Sequence, residues 1–218
     1  MTEQKSYINI GAGRIILPGP KPVHHALIDD AIYSYPYWTN ADRNAVPGID
    51  RVFDAFRYPW PLDDNSFDGA LLTHLIEHIP HEIRCRENPT NGEAARYQRL
   101  VNAQDGWWAF FAELYRVLTP GAVVHILSPY AWSQGAVTDP SHTRYITEHS
   151  FTHSMQPDPT SPFEYATLGI NFEMIESARF GISPMFQHLV DRPELLQDAL
   201  MTRLNVAFEV AVKLRAVK

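Results

Sequence analysis

The residues of this chain with chemistry to offer are a pair of glycines, a few acids placed at strand ends, and a run of imidazoles. Gly11-Ala12-Gly13 directly follows Tyr7-Ile8-Asn9-Ile10. Glycine accepts backbone angles and a closeness of approach that a Cβ would obstruct. A Gly-X-Gly turn at the end of a first parallel strand is where an open α/β sheet receives an adenosine-containing cofactor. Asp29 follows the apolar run Ala26-Leu27-Ile28, roughly 20 positions beyond the glycines, where a strand-end carboxylate accepts both hydroxyls of a ribose. Asp30 is its reserve, and a solvated turn acid is the alternative for either. His74-Leu75-Ile76-Glu77-His78 has the His-X-X-Glu-His order. On a helix, His74 and His78 at i and i+4 could both reach one metal, with Glu77 beside them. No downstream segment supplies the third-ligand helix of that motif, so no metal is assigned. Glu77 and His78 are read as capping and pairing within the fold.

The elements that must position these groups alternate between strand and helix. Ile8 and Ile10 give the first strand its β-branched packing. Pro18, Pro20 and Pro22 prevent a full helix after the glycines, so the first crossover is short or irregular. Residues 24–28 read as a second strand, and 31–50, rich in Tyr and Pro, as an ordered aromatic loop plus a short turn. A third strand over 50–56 and a fourth over 67–73 flank a Pro and Asp-Asp-Asn-Ser loop. Residues 74–79 open a helix. Trp107, Phe111, Leu114 and Leu118 fall at i, i+4, i+7 and i+11 of a helix that Pro120-Gly121 ends. Residues 123–128, apolar throughout, make a central fifth strand, and 172–180 a sixth. A helix over 193–204 precedes a period-two tail, which argues for a last, antiparallel strand. One continuous helix from 193 to 217 is the competing reading. Residues 80–106 are long for a connection, either a partial lid or a tolerated insertion.

Composition bounds the function. A chain of 218 residues with 45% hydrophobic and 20% charged residues suits one α/β domain over 1–218. A net charge of -7 does not encourage general binding to nucleic acid, without excluding a local basic patch. No run approaches the ~18 apolar residues of a membrane span, and residues 1–5 leave no room for a secretory segment. Cys85 is the single cysteine, which rules out an intrachain disulfide and fits a reducing, cytoplasmic setting. Oligomeric state is not legible.

An ordered series carries a resemblance. Asn-Ile-Gly-Ala-Gly at 9–13, Phe-Asp-Ala-Phe at 53–56, Pro-Leu-Asp-Asp-Asn-Ser-Phe-Asp at 61–68, Thr-His-Leu-Ile-Glu-His at 73–78 and Leu-Thr-Pro-Gly at 118–121 resemble class I S-adenosylmethionine-dependent methyltransferases, of the methyltransferase-domain type with a short first crossover. The match covers about residues 6–130. It departs in lacking a third glycine, with Arg14-Ile15 there instead, and in having Asn9 where many members carry an acid. The resemblance implies a Rossmann-like three-layer α/β/α sandwich around a seven-stranded, mostly parallel sheet with an antiparallel last strand. It implies S-adenosyl-L-methionine as cofactor and S-adenosyl-L-homocysteine as product. Gly11, Ala12 and Gly13 would lie along its ribose and methionine portions, and Asp29 would take the ribose diol. Asp54 with the Ala55 and Phe56 backbone would meet the adenine, although Asp54 could instead cap the following turn. Thr73 and His74 would face the sulfonium end.

Residues 130–165 are the substrate-side candidate. Related enzymes place a His of an Asp-X-X-His segment near the acceptor, which points to His142 in Asp139-Pro140-Ser141-His142. It could take a proton from an oxygen or nitrogen nucleophile, or be a hydrogen-bonded structural His. The expected function is methyl transfer to a small-molecule acceptor. A non-catalytic module on the same fold and a zinc hydrolase built on His74–His78 are the alternatives.

Overall fold

Strand β1 (Tyr7–Ile10) is buried along its whole length in the computed structural model of the protein, which describes residues 5–18, 25–33, 35–85, 105–152, 155 and 169–218. The second strand expected over 24–28 is absent from the described part, 25–28. There the chain turns into a single helical turn, α1 (Asp30–Tyr33). Ile28, Ile32 and Tyr33 pack with Tyr7, Leu17 and Trp38, so this apolar run is satisfied by packing instead of strand pairing. The true second strand, β2 (Trp38–Asp42), lies inside the expected aromatic loop. β3 is only Arg51–Val52, and residues 53–56 leave it as loop and turn. β4 (Arg57–Tyr58) pairs with β6 (Arg84–Cys85) in a separate ladder. Between them β5 (Phe67–Thr73) matches its expected bounds.

No helix follows β5. His74 has φ of 50°, outside the right-handed helical region, and only the 3-10 turn Ile76–His78 forms. The carbonyls a helix would use are taken elsewhere. Thr143 and Arg144 amides donate to the Glu77 carbonyl at 2.8 and 3.0 Å, and Arg144 Nε donates to that of Ile79 at 2.8 Å.

Helix α2 (Gly106–Val117) begins where the Asp105 carboxylate accepts from the Trp107 amide at 2.7 Å, an N-cap that satisfies one of the helix's free donors. Trp107, Phe111 and Leu114 are buried as their spacing predicts, with Phe110 and Val117 beside them. β7 (Leu118–Pro129) follows at once. Pro120-Gly121 sits inside it as a bulge: pairing with β5 jumps from Phe67↔Leu118 to Gly69↔Val123, with Gly121 at φ 80°. A short helix α3 (Gln134–Thr138) comes next. The expected sixth strand divides into β8 (Phe172–Met174) and β9 (Arg179–Ile182). α4 (Pro193–Thr202) precedes β10 (Ala207–Ala216), so the tail is a strand.

The sheet runs β3-β2-β1-β5-β7-β10-β8, with β9 also on β10. The strands from β3 to β7 pair in parallel, and β10 is antiparallel to each of its neighbours. Side chains alternate between two faces. Ile8, Ile10, Ala70, Leu72, Val124 and Ile126 share a core with α2, while Tyr7, Leu71, Leu127 and Ala211 pack with α1. This is the expected Rossmann-like layering. Among the described residues no helix is long and apolar enough to cross a membrane. Most of the 80–106 insertion (86–104), and residues 153–154 and 156–168 of the substrate-side segment, lie outside the described residues.

Candidate functional site

The strand order reverses between β1 and β5, since β2 and β3 lie to one side of β1 and β5 and β7 to the other. Loops leaving the carboxyl ends of such strands diverge and open a crevice. Gly11 and Gly13 hold φ of 71° and 52°. The Gly11 and Ala12 amides both donate to the Ala41 carbonyl, at 2.9 and 3.0 Å, which draws the turn across the end of β2. Buried Asn9 and Asn40 fasten the returning loop from beneath. Asn9 Nδ2 donates to the Ile15 carbonyl at 2.6 Å and to Asn40 Oδ1 at 3.1 Å. Asn40 in turn bonds both the amide and the carbonyl of Leu17, at 2.9 and 2.7 Å.

The crevice is a cleft of about 470 Å³, lined by Gly11, Asp42, Asp54, His74, His78 and Ser141 among others, within the ~300–1,000 Å³ usual for small-molecule sites. Asp42 ends β2; its carboxylate accepts from the Gly13 amide at 3.0 Å and the Asn44 amide at 2.8 Å. Asp54 Oδ1 accepts from the Phe56 amide at 2.9 Å. Ala55 and Phe56 also line the cleft, and the Phe56 N–H is engaged by Asp54.

At the end of β5, His74 stands between two carboxylates, with Nε2 3.1 Å from Glu209 and Nδ1 3.5 Å from Glu77. The neighbouring carboxylates, Glu209 first and then Glu77, lift its pKa to about 9, so the imidazole is a cation at neutral pH. Burial would raise the Glu209 carboxyl, but His25 and His74 hold it down to about 2.

Of the residues singled out from sequence, Gly11, Asp54, Ala55, Phe56 and His74 line this one cleft. Gly13 is bonded to its rim through Asp42, Ala12 is buried in the turn, and Thr73 is buried at the strand end. Asp29 is not in the cleft. Its carboxylate pairs with Lys213 of β10 and, at 2.8 Å, with Arg179 of β9; the Lys213 ammonium holds its pKa below the ordinary value. The strand-end acid of the site is Asp42. His142 stands beside the cleft between Ser141 and Thr143, which line it, and its ring meets that of His78 edge-on at 4.7 Å. Asp42 and Asn44 escaped the sequence reading, which takes His78 as pairing within the fold. For Asp42 the available signal was its place roughly one βαβ spacing after the glycines, masked by the polar Thr39 and Asn40 just before it.

No family model matches the chain, and no curated protein matches it. Solved structures do. The chain is similar to a SAM-dependent methyltransferase from Archaeoglobus fulgidus, with a TM-score of 0.53 and 15% identity over 97% of this chain and 86% of the other. It is also similar to the [4+2]-cyclase SpnF, with a TM-score of 0.50 and 13% identity over 98% and 74%. These likenesses show the fold: the chain has the Rossmann-like architecture of class I methyltransferases.

Proposed function

We propose that the protein is an S-adenosylmethionine-dependent methyltransferase acting on a small molecule. One observation carries this reading: a single cleft at the topological switch point gathers a glycine turn, the carboxylates of Asp42 at the end of β2 and Asp54 in the loop after β3, and the imidazole after β5. The donor set fits the cofactor. Asp42 would accept the ribose hydroxyls, and Asp54 with the Ala55 amide would meet the adenine edge. Gly11 would lie against the methionine portion; at φ 71° a side chain there is strained, and its Cβ would stand 2.8 Å from Leu75 Cδ1 and push that side chain aside. When bound, S-adenosylmethionine supplies a methyl group on a positively charged sulfur, an electrophile that needs no acid to activate it.

The work left to the chain is alignment and exclusion of water. His78, Ser141 and Thr143 line the cleft and, with neighbouring His142, form its acceptor end. His142 could accept the nucleophile's proton as a general base. The net charge of -7 favours a small acceptor over nucleic acid.

A second reading follows from the likeness to a protein named as a [4+2]-cyclase. A methyltransferase fold does not by itself commit a chain to methyl transfer, so a binding or non-methylating role on the same cleft is the alternative. Calorimetric titration with S-adenosylmethionine and S-adenosylhomocysteine separates them. The proposal expects one binding site, lost in Gly11→Val while the far-ultraviolet circular dichroism is retained. Folded protein that takes up neither ligand would overturn the proposal and leave the alternative.

A further inference from the structure

The 3-10 turn after β5 sets Glu77 and His78 side by side, and the segment carrying His142 is sewn onto that turn through the Glu77 carbonyl. One ligand atom from each of Glu77, His78 and His142 lies within 4.8 Å of the others. Ligands at ~2.1 Å from a shared ion stand ~3–4 Å apart, so side-chain rotations of about an ångström would close the set.

A backbone carbonyl meets Nδ1 of each imidazole. His78 Nδ1 is 3.3 Å from the Ser141 carbonyl and 3.1 Å from its hydroxyl. His142 Nδ1 is 3.1 Å from the Ala136 carbonyl. A carbonyl only accepts, so each Nδ1 carries the proton and each Nε2 keeps its lone pair, as in metal-bound histidines whose other nitrogen donates to a backbone carbonyl. His142 Nε2 is 3.8 Å from the Asp139 carboxylate, too far for a hydrogen bond.

Glu77 supplies the independent observation. Its side chain is almost wholly buried, at 1% exposed. Oε2 accepts from the Ser128 hydroxyl at 3.1 Å, while Oε1 accepts no hydrogen bond, with His74 Nδ1 standing off at 3.5 Å. The His74 imidazolium offsets part of its charge from that distance, but the oxygen completes no hydrogen bond, and a metal ion beside it would occupy that open lone pair.

We propose that Glu77, His78 and His142 form a binding site for one divalent transition-metal ion at the acceptor end of the cleft. Two imidazoles and one carboxylate suit zinc and its neighbours, and not the all-oxygen coordination of magnesium or calcium. This ligand set differs from the one the His-X-X-Glu-His order suggests: His74 is engaged by Glu209, and the third ligand comes from residue 142. Three protein ligands leave a coordination position open. If the proposed methyl transfer holds, that position would bind an acceptor hydroxyl and ease loss of its proton, and His142, its Nε2 lone pair on the metal, would then be a ligand in place of a general base.

The test uses tag-free protein stripped with a chelator and titrated with Co²⁺. Visible d–d absorption should saturate at one equivalent and be displaced by Zn²⁺. His78→Ala and His142→Ala should each weaken Co²⁺ binding by more than ~100-fold, beyond the loss of an outer-shell partner. His142→Gln, which retains a polar group beside Ala136, should weaken it too, and covers the case in which the alanine variant does not fold. Folded protein with no bands at one equivalent, or bands that survive these substitutions, would overturn the proposal. S-adenosylhomocysteine binding to the stripped protein, followed by calorimetry, separates this outcome from failure of the methyltransferase reading.

Discussion

Asp42 and Asp29 make opposite predictions about one ligand. The Asp42 carboxylate is oriented at the rim of the cleft by the Gly13 amide at 3.0 Å and the Asn44 amide at 2.8 Å. Asp42→Asn would keep one acceptor oxygen and lose the other together with the charge. A hydrogen bond to a charged group is worth ~1.5–3 kcal/mol, so losing one ribose contact should raise the Kd for S-adenosylhomocysteine about 10- to 150-fold. The new NH₂ would also face one of the two amide donors, which makes the lower figure a floor. Asp29→Asn should leave this Kd within about twofold, because its charge is spent on Lys213 and Arg179 and a carboxylate outside the cleft offers no hydrogen bond to its ligand. Calorimetry on both variants, with thermal melts to confirm folding, reads the difference directly. If Asp29→Asn abolished binding and Asp42→Asn did not, the assignment of the ribose site to the end of β2 would be wrong.

Glu113 is buried in α2, where its carboxylate accepts from the Trp60 amide at 2.6 Å and from Arg116 at 2.9 and 2.8 Å. Glu113→Ala leaves the Trp60 amide without its acceptor and Arg116 with Asp64, at 2.7 Å, as its remaining carboxylate, and should cost about 1–3 kcal/mol in urea denaturation; no measurable loss would contradict this. His125, on β7, has its pKa lowered to about 4 by burial first and then by Lys213. The unfolded chain therefore takes up a proton near pH 6.5 that the folded protein refuses, and stability is lost as pH falls from about 6.5 to 4. The loss amounts to about 3 kcal/mol. His74, with its raised pKa, acts above this window, and Glu209, with its lowered one, acts mainly below it. His125→Leu should flatten that part of the stability–pH curve, and an unchanged slope would rule out His125 as its source.

Elements that bury a continuous apolar face were legible, because burial selects residue types directly. β1, β5, α2 and β10 are such elements, and each stands within a residue or two of its expected place, or in its expected type. β2 was not, because Asn40 spends a buried position on hydrogen bonds to Leu17 and Asn9, which no apolar pattern records. The misplaced strand then shifted the candidate site acid. A strand-end acid is recognised only through its strand, so placing the strand at Ala26-Leu27-Ile28 selected Asp29 over Asp42. The histidines show the same dependence in reverse. His74 and His78 were paired on the assumption of a helix that His74, at φ 50°, does not enter. His78 and His142 meet only because the Thr143 and Arg144 amides close onto the Glu77 carbonyl, across a sequence separation that motif spacing does not encode. Residue types announced the chemistry, whereas its grouping depended on which backbone carbonyls were left free to receive a distant segment.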